Sequence, residues 1–281
     1  MPAWYFGRIS GGLKTTAKPP SFIAEIAVPR RIWAVAAIHG EAPRLVALHE
    51  ALADRARAGD RLVYLGNYLG HGGHVLQVVD ELLAFRRWFL TLAGMEPWDI
   101  VYLRGSQEEM WHKLLQIQIA MTPAEVFDWM MEKGADATLK AYGGDPAAAH
   151  TRFREGVMAT TRWTGQLREA MKSHPGHDAL LSGLSRAALT DSRSLLFVHA
   201  GVDPVRPLGT QGDRFWWGSS AFPTAEPYDG FRLVVHGFDP AHRGLKIGPV
   251  SANLDAGCGF GGPLTAVCFA PDGEVLDQVQ T

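Results

Sequence analysis

Five loops of this sequence carry side chains that can bind metal ions, transfer protons or hold anions. They are Ala37-Ile38-His39-Gly40, Gly66-Asn67-Tyr68-Leu69-Gly70-His71-Gly72, Arg104-Gly105-Ser106-Gln107-Glu108, His199-Ala200-Gly201 and His236-Gly237-Phe238. Imidazole binds transition metals and titrates near neutral pH, and guanidinium binds phosphate through paired hydrogen bonds. A single histidine at the end of a strand is usually structural. Five such loops in one order and spacing, however, predict a shared polar site.

Strands and helices alternate around the first three loops. Apolar runs predict strands at 33–38, 61–65 and 99–103, and helical spacing of apolar residues predicts helices at 44–57 and 75–92. This alternation predicts right-handed βαβ units and a largely parallel sheet. Because ligands of such sheets bind beyond the carboxyl ends of the strands, we expect the loops along one edge.

The rest of the chain is predicted to be helical first and then rich in strands. A helical region around 107–189 precedes predicted strands at 194–198, 231–235, 263–269 and 274–279. The turn at 270–273 (Ala-Pro-Asp-Gly) predicts an antiparallel hairpin. The glycine-rich run 257–262 is not interpreted as a dinucleotide loop, because no helix is predicted after it. Residues 1–31 are predicted to be a loosely ordered N-terminal arm, and residues 32–281 a single domain.

Composition excludes several classes of protein. The 281 residues are 47% hydrophobic and 20% charged, with a net charge of -2, which is typical of a folded protein without general attraction for nucleic acid. No segment reaches the roughly 18 apolar residues of a membrane span. Cys258 and Cys268 are too widely spaced for a CxxC zinc site and are predicted to be buried and reduced. No secretory signal is recognised, so a cytoplasmic protein is the default expectation.

In order and spacing, the five loops resemble the motifs GDxHG, GDxxDRG, GNHE, HAG and HGH of the calcineurin-like metallophosphoesterases, in their serine/threonine phosphoprotein phosphatase branch. The resemblance covers roughly residues 32–270. It implies an α/β fold, a four-layer α/β/β/α sandwich of mixed sheets with helices outside and a helical insertion around 107–189. It also implies hydrolysis of phosphate esters by two divalent ions about 3.5–4 Å apart, whose charge carboxylates must offset.

The sequence departs from this resemblance at the implied metal ligands. Ala37 stands at the first aspartate, Asn67 at the bridging aspartate, and Ser106 at the ligand asparagine. Phe238 replaces the second histidine of the last motif. These positions therefore supply no carboxylate, and a neutral asparagine bridge, doubtful as a metal ligand, would not offset two dications.

Two of the implied ligand histidines, His39 and His199, are retained, whereas the retained His236 stands at a position that is not a ligand in the family. A borderline ion such as zinc can use imidazole ligands, so His39 and His199 are a weak residual metal site. A third ligand would have to come from Glu41, His71, Glu108 or Asp239.

The implied proton-transfer groups are also replaced, so no catalytic residue is assigned. Gln107 stands at the general-acid histidine, Gly70 at the aspartate that orients it, and His71 at a phosphate-binding arginine. An amide does not titrate in a useful range. Arg104 is interpreted either as an oxyanion-binding group or as part of a structural ion pair. The expected pocket is lined by Ala37, His39, Asn67, Gly70, His71, Arg104, Ser106, Gln107, Glu108, His199, His236 and Phe238.

These departures favour a pseudophosphatase, meaning a phosphatase fold without an efficient metal centre. It would bind a phosphoprotein, an anionic small molecule or a protein partner. No cofactor is expected, or at most a divalent metal (Mn, Fe or Zn) at reduced stoichiometry. One alternative is an active metal-dependent phosphoesterase with a rebuilt, possibly single-metal site. Another is a structural or assembly protein.

Overall fold

The computed structural model describes residues 22–281, which form two mixed β-sheets with helices outside them. The strands are β1 (Ile23–Ile26), β2 (Ile32–Val35), β3 (Arg61–Tyr64), β4 (Ile100–Tyr102), β5 (Ala187–Thr190), β6 (Leu195–Val198), β7 (Leu233–His236), β8 (Lys246–Ile247), β9 (Ser251–Asn253), β10 (Thr265–Phe269) and β11 (Val275–Gln280). The five-stranded sheet has the order β11-β10-β2-β3-β4, and the six-stranded sheet has the order β1-β5-β6-β7-β9-β8.

The predicted βαβ units form the centre of the five-stranded sheet. Its strands β2, β3 and β4 are parallel neighbours, and β10 and β11 form the predicted antiparallel hairpin beside them. In the other sheet, β6 and β7 are parallel neighbours as well. Each of these five parallel strands ends directly before one of the polar loops.

Nine α-helices lie among the described residues. They are α1 (Ala42–Arg55), α2 (Val75–Phe89), α3 (Ser106–Leu114), α4 (Pro123–Met130), α5 (Asp136–Ala141), α6 (Pro146–Glu155), α7 (Val157–Ser173), α8 (His177–Ser182) and α9 (Arg214–Trp217). The predicted helical insertion corresponds to α3 to α8. Within residues 22–281, no helix is both long and apolar enough to cross a bilayer.

Side chains of the central strands alternate between two apolar cores. Ala34 of β2 lies in the core between the sheets together with Phe197 of β6, whereas its neighbour Trp33 packs with the helices. On the outer face of the six-stranded sheet, Phe215 and Trp216 of α9 cover a third cluster. The predicted fold class, two mixed sheets with helices outside, is therefore confirmed. The outer layer on the α9 side is thin, because one short helix and loops form it.

The strands β1, β5, β8 and β9 go beyond the predicted ones. The prediction of helix up to residue 189 is wrong, because the insertion ends at Ser182 and β5 begins at Ala187. The first 21 residues of the predicted arm lie outside the described residues. The next part is not loosely ordered, because β1 pairs in parallel with β5 and buries Ile26. Such short strands depend on partners far along the chain, and a local pattern carries little signal for them.

A buried histidine in α1 makes stability depend on pH. His49 binds Glu81 through Nδ1 (2.5 Å) and the Tyr64 hydroxyl through Nε2 (2.8 Å). Burial lowers the pKa of His49 below its ordinary 6.5, although Glu81 opposes the shift. Below pH 6.5 the unfolded chain therefore binds more protons than the folded chain, and stability falls as the pH drops towards the folded pKa.

We expect His49→Gln to reduce this loss by up to about 1.4 kcal/mol per pH unit. The measurement is the free energy of unfolding in urea at several pH values between 7.5 and 5. His74→Gln is the matched control, because the His74 side chain is exposed at the start of α2. Equal pH slopes for His49→Gln and the wild type would contradict this prediction.

Candidate functional site

Backbone hydrogen bonds join the loops that follow β2, β3, β6 and β7. The His39 N–H donates to the Asn67 carbonyl (2.7 Å), which joins the first loop to the second. The Ala37 N–H donates to the Gly237 carbonyl (3.0 Å), and the Gly237 N–H donates to the His199 carbonyl (2.9 Å). These bonds bridge the two sheets, so four of the five predicted loops meet at one edge of the sandwich.

The side chain of Asn67 brings in the loop that follows β4. Asn67 is fully buried at a φ of 54°, which asparagine tolerates better than most residues. Its Oδ1 accepts the Gln107 N–H (2.9 Å) and the Ser106 hydroxyl (3.2 Å). Its Nδ2 faces His39 Nε2 at 3.4 Å. A network of neutral groups therefore surrounds the position at which the resemblance implies a bridging carboxylate.

Glu108 anchors the β3 loop to the start of α3. Its buried carboxylate accepts the N–H groups of Asn67 (2.8 Å), Tyr68 (2.8 Å), Leu69 (3.1 Å) and Gly105 (2.8 Å). Burial raises the pKa of this carboxyl group, and the N–H donors oppose the shift. Both oxygens are already used, so Glu108 positions the loop and is not available as a third metal ligand.

His39 and His199 are fully buried, and each has one ring nitrogen without a partner within residues 22–281. The His199 Nδ1–H donates to the Leu65 carbonyl (2.7 Å), and Nε2 has no partner among the described residues. His39 Nε2 lies next to the Asn67 amide, and its Nδ1 has no hydrogen-bond partner among the described residues either. Burial lowers the pKa of His199 to about 4 and that of His39 well below 6.5. Both imidazoles are therefore neutral at pH 7.

Two phenylalanines pack against these imidazoles. The Phe238 ring stacks on His199, with the ring centroids 5.2 Å apart, and lies 5.6 Å from His39. The Phe260 ring lies 5.2 Å from His39 and 4.6 Å from His71. Phe260 is not among the predicted site residues, because its glycine-rich segment does not follow an apolar strand. Phe238 thus packs against both histidines of the residual pair, and Phe260 packs against His39.

Gln107 fills the space beside Gly70. Its Nε2 donates to the Lys133 carbonyl (2.7 Å) and faces His71 Nε2 (3.3 Å). A Cβ atom at Gly70 would collide with the Gln107 amide. Gly70 and Gln107 are therefore sterically linked, because the Gln107 amide occupies the space that a side chain at position 70 would need.

We expect Gly70→Ala to destabilise the protein by about 2–3 kcal/mol, from the collision and from a φ of 82° that disfavours a Cβ atom. In a Gln107→Ala background the loss should fall to about 1 kcal/mol, the backbone cost alone. Gly94→Ala measures that cost separately, because Gly94 has a φ of 73° and an open Cβ position. Urea unfolding gives all three values, and equal losses in both backgrounds would refute the steric link.

The remaining predicted site residues make structural contacts. Arg104 pairs with Glu109 of α3 (3.0 Å), the structural alternative for this side chain. His236 is buried, and its Nδ1–H donates to the Phe238 carbonyl (3.2 Å). Asp239 binds Arg243 (2.7 Å) and is therefore engaged, as Glu108 is. Of the other two candidate third ligands, His71 lies 5.0 Å from His39 between ring centroids, and Glu41 directly precedes α1.

These donors do not fit a pair of divalent ions. Among residues 22–281, no group of three or more histidine, cysteine, aspartate or glutamate residues is arranged to hold a metal. Asn67 brings no negative charge, and the carboxylates of Glu108 and Asp239 are bound elsewhere. Without an anionic donor, the repulsion between two dications is not offset.

The fold is shared with solved phosphatase structures. A putative diadenosine tetraphosphatase has a TM-score of 0.54 at 20% identity, with 92% of this chain and 98% of that chain covered. A serine/threonine phosphatase from Saccharomyces cerevisiae has a TM-score of 0.51 at 11% identity, with 89% and 77% covered. A cold-active protein tyrosine phosphatase has a TM-score of 0.50 at 11% identity, with 92% and 81% covered. No protein-family model and no curated protein sequence matches the chain. At these identities the likeness establishes the fold alone.

Proposed function

We propose that this chain, which has the fold expected of a metallophosphoesterase, is a pseudophosphatase that binds a phosphorylated or anionic ligand without efficient hydrolysis. The observation that carries this proposal is the hydrogen bonding of Asn67. Its Oδ1 is engaged by Ser106 and Gln107, so the atom nearest to a bridging role is neutral and already in use. A metal-activated water requires ions that this donor set does not hold well.

The group at the implied general-acid position supports the same proposal. Hydrolysis of a phosphate ester is fastest when a titratable group protonates the leaving oxygen. Gln107 stands there instead, and its amide neither titrates in a useful range nor is free, since it donates to the Lys133 carbonyl. At the positions that match the family motifs, the chain therefore lacks both the ligands for a metal-activated water and a group that can protonate the leaving oxygen.

The test combines metal analysis with a hydrolysis assay. We expect the purified protein to hold far less than one Mn, Fe or Zn ion per chain, and to hydrolyse p-nitrophenyl phosphate with added Mn²⁺ no faster than the protein-free control. The double variant His39→Ala/His199→Ala is the matched control for contaminating phosphatases. Stoichiometric metal together with turnover that the double variant loses would overturn the proposal.

The second candidate function is a phosphoesterase with one borderline ion, and the unpaired nitrogens of His39 and His199 favour it. Zinc accepts imidazole ligands, so these two side chains would hold it. This candidate predicts about one Zn²⁺ per chain and turnover that either single variant, His39→Ala or His199→Ala, abolishes. Zinc-loaded protein without turnover would eliminate it.

A further inference from the structure

A cavity of about 480 Å³ opens beside Phe238 at the carboxyl ends of β6 and β7. A volume of this size is typical of small-molecule sites. Its wall consists of side chains and backbone from α9, the segment that follows it, and the loop after β7. Phe238 and His236 line this cavity, but His39 and His199 do not. The space is therefore distinct from the histidine pair, although Phe238, which lines it, also stacks on His199.

The charged groups of the cavity favour an anion. Arg214 and Arg243 line it together with one carboxylate, Asp239. Asp239 is 4% exposed and holds Arg243 through two contacts, to Nε (2.7 Å) and to an Nη atom (3.2 Å). Arg214 forms no ion pair within residues 22–281. Burial lowers the pKa of His236, which is neutral at pH 7, so the lining carries a net positive charge.

The other walls favour a flat ring next to the anionic group. Trp217, Phe222 and Phe238 supply aromatic surface, and Trp217 is 38% exposed. Ser219 and Ser220 add hydroxyl groups to the lining. Inorganic phosphate would fill only a small part of the volume. A guanidinium pair, hydroxyl donors and aromatic walls in one cavity match a ligand with a phosphate at one end and a ring at the other.

We propose that this cavity binds a small aromatic phosphate monoester, such as a nucleoside monophosphate or the side chain of phosphotyrosine. This inference rests on the proposed function, since it names the ligand class of a protein that binds without efficient hydrolysis. The phosphate lies against Arg214 and Arg243, and the ring packs against Trp217 and Phe222. Because the cavity excludes the histidine pair, binding there needs no metal ion.

The experiment is a binding titration in the presence of EDTA, in which calorimetry and tryptophan fluorescence measure the binding. The probes are AMP, O-phosphotyrosine, adenosine and inorganic phosphate. We expect at least one aromatic phosphate to bind more tightly than adenosine or inorganic phosphate. Its binding should change the tryptophan fluorescence, and Trp217→Leu should remove this change. Whichever of AMP and O-phosphotyrosine binds more tightly shows whether the natural ligand is a nucleotide or a phosphotyrosine side chain.

Variants locate the site. Arg214→Gln should weaken binding by about tenfold or more, because a charged hydrogen bond to the phosphate is lost. Trp217→Leu should lower the affinity for the aromatic phosphates and leave the affinity for inorganic phosphate unchanged. Arg162→Gln is the matched control, because Arg162 is exposed on α7 and does not line the cavity.

Three outcomes would overturn the inference: no saturable binding of either aromatic phosphate, equal affinity for adenosine or inorganic phosphate, or unchanged affinity in Arg214→Gln. Thermal melting of each variant confirms that it is folded. Because EDTA removes metal-dependent turnover, these outcomes are independent of the hydrolysis assay, and a failure here is distinguishable from a failure of the proposed function.

Discussion

Replacing Glu108 by alanine will lower the free energy of unfolding by about 4 kcal/mol. The N–H groups of Asn67, Tyr68, Leu69 and Gly105 would lose their shared acceptor inside the protein. Each buried donor without a partner costs about 1–3 kcal/mol, and water that enters the space left by the side chain offsets part of the sum. Urea unfolding followed by far-ultraviolet circular dichroism measures the loss.

Glu108→Gln separates the hydrogen bonds from the packing of the side chain. Its amide oxygen can still accept N–H groups but its nitrogen cannot, so we expect about half of the alanine loss. Glu169→Ala is the control, because Glu169 is 74% exposed on α7 and its removal should change stability by less than about 0.5 kcal/mol. Alanine and glutamine variants as stable as the wild type would show that Glu108 does not hold the loop.

Replacing Phe238 by histidine will raise the affinity for Zn²⁺ by about 100-fold or more, because a third imidazole then stands beside the two that are present. The Phe238 ring lies 5.2 Å from His199 and 5.6 Å from His39, and each of these histidines has an unpaired nitrogen. Calorimetric titration with Zn²⁺ measures the affinity.

Phe238→Leu is the control for this gain, because it removes the aromatic ring and adds no ligand. Its Zn²⁺ affinity should remain that of the wild type. The double variant Phe238→His/His199→Ala should lose the gain, since only two imidazoles remain. A gain that persists in this double variant would place the zinc elsewhere and refute the prediction.

Much of the fold could be predicted because its central strands are apolar runs next to one another in sequence order. β2, β3 and β4, with α1 and α2 between them, follow the local pattern, and the hairpin of β10 and β11 follows its turn residues. β1 and β5 could not be predicted, since each depends on pairing with the other. The positions of the five loops relative to the strands were predictable for the same reason as the central strands.

The residue types of the candidate site could be predicted from the sequence, but the hydrogen bonds and contacts of its side chains could not. The sequence alone shows that neutral amides, Asn67 and Gln107, stand where the resemblance implies a carboxylate and a titratable acid. That Glu108 is fully engaged, and that Phe260 packs on His39, depends on contacts between distant segments. No sequence motif indicates the cavity that Arg214 and Arg243 line, because α9 and the loop after β7 approach each other only in the folded chain.

The sequence by itself therefore determined which chemistry this protein can offer, because the side chains that end its five parallel strands are known once their order is read. It determined that Ala37, Asn67, Gly70 and Gln107 stand where the resemblance implies carboxylates and a titratable acid. Only the tertiary structure decided which of these atoms remain available. Burial and long-range hydrogen bonds engage Asn67 and Glu108 and leave, among the described residues, one nitrogen without a partner on His39 and on His199. Phe238 lines the open cavity, whereas His39 and His199 do not.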